Sequence, residues 1–209
     1  MSRSTRIRSY LLCATMLVFT GAASLAQSGA LARTSAQQQA TKIFSKNERD
    51  GQHDFDFEFG HWKIHNRRLL HPLSGSNDWV EFDGTVVAHP IWDGRANMDV
   101  FEADSPTGHL EGMTVRTYNT TSHQWSLYWA NSRTGVFSLP ATVGKFEGNR
   151  GEFYDQEDYN GGNIFVRFVW TVTSPDAPQW EQAFSLDGGK TWETNWIVNF
   201  TRVHEPRGV

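Results

Sequence analysis

From Asp54 onward, turn signals interrupt the chain every few residues, and this spacing leaves no room for a helix of ordinary length or for a parallel crossover. They are Asp83-Gly84, Asp93-Gly94, Ser105-Pro-Thr-Gly108, Thr134-Gly135, Gly148-Asn-Arg-Gly151, Asn160-Gly-Gly162, Ser174-Pro-Asp-Ala-Pro178 and Asp187-Gly-Gly189. Segments rich in Val, Phe, Trp, Tyr, Thr and Ile lie between them. The segments are Trp62 to Leu70, Trp79 to Trp92 with a break at Gly84, Ala96 to Glu102, Leu110 to Tyr118, Gln124 to Asn131, Ala141 to Phe146, Gly151 to Asp155, Ile164 to Thr173, Gln179 to Leu186 and Trp192 to Val203. About ten strands joined this tightly form an antiparallel meander, and closing it into an up-and-down barrel removes the exposed edges. The expected class is all-β.

The N-terminus reads as a targeting segment. Arg3, Arg6 and Arg8 precede an apolar run from Tyr10 to Thr20, followed by two small-residue cleavage sites that place the cut after Ala26 or Ala32. The run is far shorter than the roughly 20 residues a membrane-spanning helix needs, so no membrane span is expected in the mature chain. Residues 1–32 are therefore assigned to a signal peptide, 33–53 to a polar flexible linker, 54–203 to the barrel and 204–209 to a tail. The expected location is periplasmic or secreted. Losing three arginines takes Lys+Arg from 19 to 16 against 23 Asp+Glu and moves the net charge from −4 to −7, which argues against nucleic acid as a partner. The one cysteine, Cys13, lies in the signal, which leaves the mature chain without disulfides or thiolate chemistry.

Two features resemble the lipocalin-like (calycin) barrels. One is Gly60-His61-Trp62 at the start of the first strand, after the aromatic stretch Phe55-Asp-Phe-Glu-Phe59; the other is Arg202 near the end of the last strand. The resemblance implies that Arg202 covers the Trp62 indole where first and last strands meet, and that residues 55–59 plug the barrel base as a 3₁₀ turn. Phe59-Gly-His-Trp62, Trp129-Ala-Asn-Ser-Arg-Thr-Gly135, Val166-Arg-Phe-Val-Trp170 and the run Trp180 to Trp192 further resemble an exported bacterial domain family of unknown function. That resemblance supplies no activity.

Strand parity sorts the aromatics. Trp196, Val198, Phe200 and Arg202 share the inner face of the last strand, leaving Asn195 and Ile197 outside; Trp180, Gln182 and Phe184, then Val166, Phe168 and Trp170, then Trp125, Leu127, Trp129 and Asn131, and finally Trp62, Ile64 and Asn66 point inward likewise. With the second strand broken at Gly84, Thr85, Val87, His89 and Ile91 also face inward. Polar residues among inward apolar ones either bond each other or face a ligand. Asn66, His89, Trp129, Asn131, Trp170, Gln182 and Trp196 are thus the candidate ligand-binding residues of an exported barrel holding a small, partly apolar molecule. The alternative is a cyclase, isomerase or hydrolase acting on a lipid-like or sugar-derived substrate in the same cup, with His89 as its titrating group. A monomer or weak homodimer is expected, with a small-molecule ligand as partner.

Other signals have plainer readings. Arg116 and Tyr118 share a face opposite Met113, Val115 and Thr117, so their orientation stays open, as does that of Arg167; each arginine reads first as a surface charge. His61 and His65, four apart on a strand, sit roughly 13 Å from each other and cannot share a metal. Asp155 to Asn163 reads as a solvated hairpin tip rather than a calcium loop. Ser185-Leu-Asp-Gly-Gly-Lys-Thr-Trp192 matches a propeller-type Asp-box but occurs once, so it reads as a hairpin held by Asp187. No cofactor and no metal are expected, and no catalytic residue can be assigned.

Overall fold

The computed structural model describes residues 49–204, so the segment expected to be a signal peptide, most of the expected linker and most of the expected tail lie outside the described residues. Ten antiparallel strands follow a 3₁₀ turn at Asp56–Glu58: β1 (Gly60–Leu69), β2 (Trp79–Ile91), β3 (Ala96–Ser105), β4 (Gly108–Asn119), β5 (Gln124–Asn131), β6 (Thr142–Glu147), β7 (Arg150–Tyr159), β8 (Gly162–Thr171), β9 (Gln179–Ser185) and β10 (Glu193–Arg202). They form one closed barrel in meander order, with β1 pairing both β2 and β10.

The closure carries the sequence signature. Trp62 lies opposite Arg202 across β1 and β10, and the guanidinium sits 4.1 Å from the indole centroid. Arg202 donates to the Phe59 carbonyl at 2.8 Å, the Phe57 carbonyl at 2.5 Å and Asp176 Oδ1 at 2.7 Å, while Trp62 Nε1 donates to the Glu58 carbonyl at 2.6 Å. Gly60, at φ +115°, provides the bend between plug and strand that a side chain would strain. The 3₁₀ turn places Phe55, fully buried, against Trp125 and Phe146 with ring centroids 5.0 and 5.1 Å apart, both edge-on.

Three expectations need correction. Residues 49–53 are docked onto the barrel rather than free linker: the Gly51 amide donates to Tyr118 Oη at 2.9 Å, and Trp125 Nε1 donates to the Gly51 carbonyl at 2.9 Å. A polar composition conceals this because the bonds use the Gly51 backbone. Second, β2 is continuous through Gly84, whose absent side chain lets β3 approach; a Cβ there would meet the Glu102 carbonyl oxygen at 2.4 Å. Its inner face is therefore Phe82, Val86 and Ala88, and His89 is exposed on the outside. Third, Thr194 pairs with Ala183 and Trp196 with Gln182, so Asn195 is an extra residue in a bulge and is buried at 2% exposure.

The hairpin at Ser185 to Trp192 forms as expected. Asp187 Oδ1 accepts from the Lys190 and Thr191 amides at 3.0 and 2.9 Å, and Gly188 and Gly189 have φ of +73° and +84°.

Arg202→Ala is expected to lower the unfolding free energy by about 1–3 kcal/mol, with Arg202→Lys intermediate, because the lysine keeps the charge over Trp62 but loses the fork of donors. Urea denaturation checks this; an alanine variant as stable as the parent would mean that closure does not depend on the guanidinium.

Candidate functional site

The plug fills the barrel at the end where β1 begins, and the other half of the interior holds a cavity of about 310 Å³. Its walls are aromatic: Trp129 from β5, Phe168 and Trp170 from β8, Trp180 from β9, Trp196 from β10 and Phe101 from β3. Trp196 anchors them, its ring lying 5.5 Å from Trp180, 5.9 Å from Phe101 and 6.5 Å from Trp129, centroid to centroid and edge-on in each case. Gly112 on β4 makes the space for one wall, since a Cβ there would fall 2.0 Å from a Trp129 ring carbon.

The wall formed by β3 and β4 is inverted relative to a simple polar-out pattern. Asn97, Asp99 and Arg116 are buried inside, while Val100 and Met113, opposite each other in register, are exposed outside. Arg116 is thus an interior residue, 3% exposed, and the surface-charge reading is corrected. Apolar outer residues on β4 misdirect parity there. Arg116 Nη1 donates to Asn97 Oδ1 at 3.0 Å; Nη2 donates to Glu58 Oε1 at 2.9 Å and to Asp99 Oδ2 at 2.5 Å. Glu58 Oε2 lies 2.6 Å from Nη1 but outside hydrogen-bonding geometry. Glu58, Asp99 and Arg116 all line the cavity. Burial pushes the Glu58 carboxyl up to about 8, against the pull of Arg116 and with the help of Asp99. Burial opposes the Arg116 charge, yet the two acids beside it raise its pKa, so the guanidinium stays charged.

Near the mouth, Glu157 and Tyr159 of β7 and Arg68 of β1 complete the lining, with Ser138 and Pro140 from the β5–β6 connection. β5 and β6 pair over only three residue pairs, and the connection fills the wall where they part, Ser138 N–H donating to the Trp129 carbonyl at 2.7 Å. Burial first, then the neighbouring Asp155, pushes Glu157 up to about 7. Arg68 places its guanidinium 4.6 Å from the Trp196 ring centroid.

Of the seven candidate residues, Trp129, Trp170, Gln182 and Trp196 line one cavity. Asn66, fully buried, stands behind it and accepts from Trp196 Nε1 at 3.0 Å, which orients that indole. Gln182 donates to the bulged Asn195 at 2.8 Å. Asn131 instead serves the turn after β5, accepting the Thr134 amide at 3.2 Å, and His89 lies outside the barrel. The enzyme alternative loses its titrating group with His89. Parity could not have found Glu58, which belongs to the plug; Asp155 and Glu157 were legible as an alternation with Phe153 and Tyr159, since β7 continues through the stretch read as a solvated tip. Tyr118 faces inward at the plugged end, and Arg167 stacks 4.6 Å from the Trp192 ring centroid. Among the described residues no cluster of three or more His, Cys, Asp or Glu has metal-binding geometry.

No family model matches the sequence, and no curated protein matches it. Among solved structures the chain is similar to an S-type phycobiliprotein lyase from Guillardia theta, with 10% identity and a TM-score of 0.51 over 76% of this chain and 96% of that one. It is also similar to EF1p2_mFAP2b bound to DFHBI (12% identity, TM-score 0.41, 73% and 99% covered) and to a redesigned beta barrel, mFAP1, bound to DFHBI (14%, 0.39, 74% and 100%). The fold is a calycin-like barrel.

Glu58 and Glu157 keep protons in the folded chain that the unfolded chain releases near 4.5. Their contribution to stability is therefore full below about 4.5, falls as pH rises through about 7 and then about 8, and is flat above. Urea midpoints across this range are expected to decline with pH, and Glu157→Gln should flatten the part of the decline below about 7. A parent profile that rises with pH over the same window would contradict the assignment.

Proposed function

We propose that this chain is an exported small-molecule-binding barrel, periplasmic or secreted, that holds a partly apolar ligand in the cup. The observation that carries the reading is the aromatic cavity itself. With the plug at one end, about 310 Å³ stays open between Trp129, Trp180 and Trp196. That volume lies at the low end of small-molecule sites, and such sites are mostly apolar with a few converging polar groups. Binding would draw on burial of apolar ligand surface at about 25 cal/mol per Å², with Gln182, the Glu58–Arg116–Asp99 group and Glu157 orienting the polar end.

Export rests on the arginine-led apolar segment at the N-terminus, and one measurement addresses both parts of the reading. Native mass spectrometry of protein gently purified from the periplasm or medium of its own cells should show a chain cut after Ala26 or Ala32 and carrying a bound small molecule that denaturation releases. A full-length cytoplasmic mass would overturn the export, and an apo mass together with failure to bind any apolar fluorescent probe would overturn the carrier.

Trp129→Ala is expected to weaken the captured ligand by roughly tenfold or more while costing less stability than Trp62→Ala, because Trp129 faces the cavity and Trp62 is wholly buried in the closure. Titration and urea denaturation on both variants check the contrast. Equal losses of stability would mean that Trp129 is core rather than wall.

A further inference from the structure

The barrel interior carries more acid than base. Four carboxyl groups turn inward: Glu58 from the plug, Asp99 from β3, and Asp155 and Glu157 from β7. Arg116 answers Glu58 and Asp99 together, one guanidinium for two carboxyls. No cation pairs with the other two among the described residues. Asp155 Oδ2 accepts from Thr142 Oγ1 at 2.7 Å, and its buried Oδ1 has no partner. Arg68, the one further cation of the lining, stands at the mouth and spends its charge on the Trp196 face. Glu58, 1% exposed, borders the cavity, and its Oε2 lies close to Arg116 but outside hydrogen-bonding geometry.

Resting on the ligand-binding reading above, we propose that the ligand is an organic cation: a flat apolar body bearing an ammonium or amidinium group, its body among Trp129, Trp180 and Trp196 and its charge among the inward carboxyls. Two independent features converge on this. Uncompensated carboxylates in a poorly solvated cavity are costly, and they are relieved by either a proton or a bound cation. Tryptophan faces attract cations through the ring quadrupole, most strongly when water is excluded. An anionic ligand would meet like charge from β7, and a neutral one would leave the acids as they are.

The binding step exchanges one cation for one proton. A protonated cavity carboxyl gives its proton to solvent as the ammonium arrives, and the complex keeps the carboxylate–ammonium pair. The raised pKa values of Glu157, about 7, and Glu58, about 8, place this exchange near neutrality. Asp155 and Tyr159 on the same strand, Thr142 from β6, Ser138 from the β5–β6 connection and Arg68 at the rim are charged or hydrogen-bonding groups in the lining or bonded to it on that side. Affinity for a cation therefore rises with pH across that range, while affinity for a neutral analogue stays level.

Three near-isosteric probes test the class on the mature chain: naphthylmethylamine, naphthylmethanol and naphthoate, titrated by tryptophan fluorescence and calorimetry. The amine is expected to bind roughly tenfold tighter than the alcohol near pH 8, with naphthoate weakest, and Glu157→Gln should bring amine and alcohol to within about threefold of each other. Should Glu157→Gln fail to fold by circular dichroism, the parent chain decides alone, through amine affinity that rises between about pH 6 and 8 with protons released to buffer. Alcohol binding as tight as amine, or naphthoate binding tighter, overturns the cation proposal and leaves the ligand-binding barrel standing. Failure of all three probes to bind at millimolar concentration overturns both.

Discussion

The barrel depends on the contact between Arg202 and Trp62. A meander of ten strands has two free edges until its first and last strands pair, and the guanidinium stacked on the indole sits at the end of that seam. The same side chain then reaches the Phe57 and Phe59 carbonyls, so one residue joins the final strand, the first strand and the plug. Strand closure and plug placement thus share one side chain. Phe55 is carried into the aromatic core by it, and so is Glu58, which no strand could have delivered to the floor of the cavity.

Half of the interior is packed and half is not, and the division has a physical cause. Below, Phe55 brings together Trp125, Phe146 and Phe153 at ring separations of 5.0 to 5.7 Å. Above, the tryptophans brace one another edge-on around Trp196, and Asn66 fixes that indole from behind. Gly112 leaves room for the Trp129 ring against β4. Rings supported in this way do not collapse into the space they enclose. The buried Glu58–Arg116–Asp99 group adds a second restraint, since separating Arg116 from Asp99 would strand a charge in a poorly solvated interior.

Much of the fold and part of the site were legible along the chain. Tryptophans on β5, β8, β9 and β10 obey strand alternation and arrive on the inner face as expected. Alternation failed where something broke its assumptions. A break at Gly84 would turn His89 inward, but glycine there permits close strand approach and β2 runs through it. Alternation puts Asn195 outside, but a bulge inserts one residue there and resets the count beyond it. Arg116 reads along the chain as a surface charge because Met113 and Val115 supply an apolar outer face on its strand, and the two acids that make its burial tolerable come from other elements.

The sequence alone determined that the chain is all-β, antiparallel and closed, because dense turn signals and two-residue alternation are local properties that short connections convert directly into topology. It also determined the seam, because the G-x-W tryptophan and the last-strand arginine have one place to meet in a closed meander. Which polar groups share the cavity was decided only by the tertiary structure. Glu58, Asp99, Arg116 and Glu157 lie on a plug and three different strands, and their charges and protons depend on mutual distance and lost solvent, neither of which is a property of position along the chain.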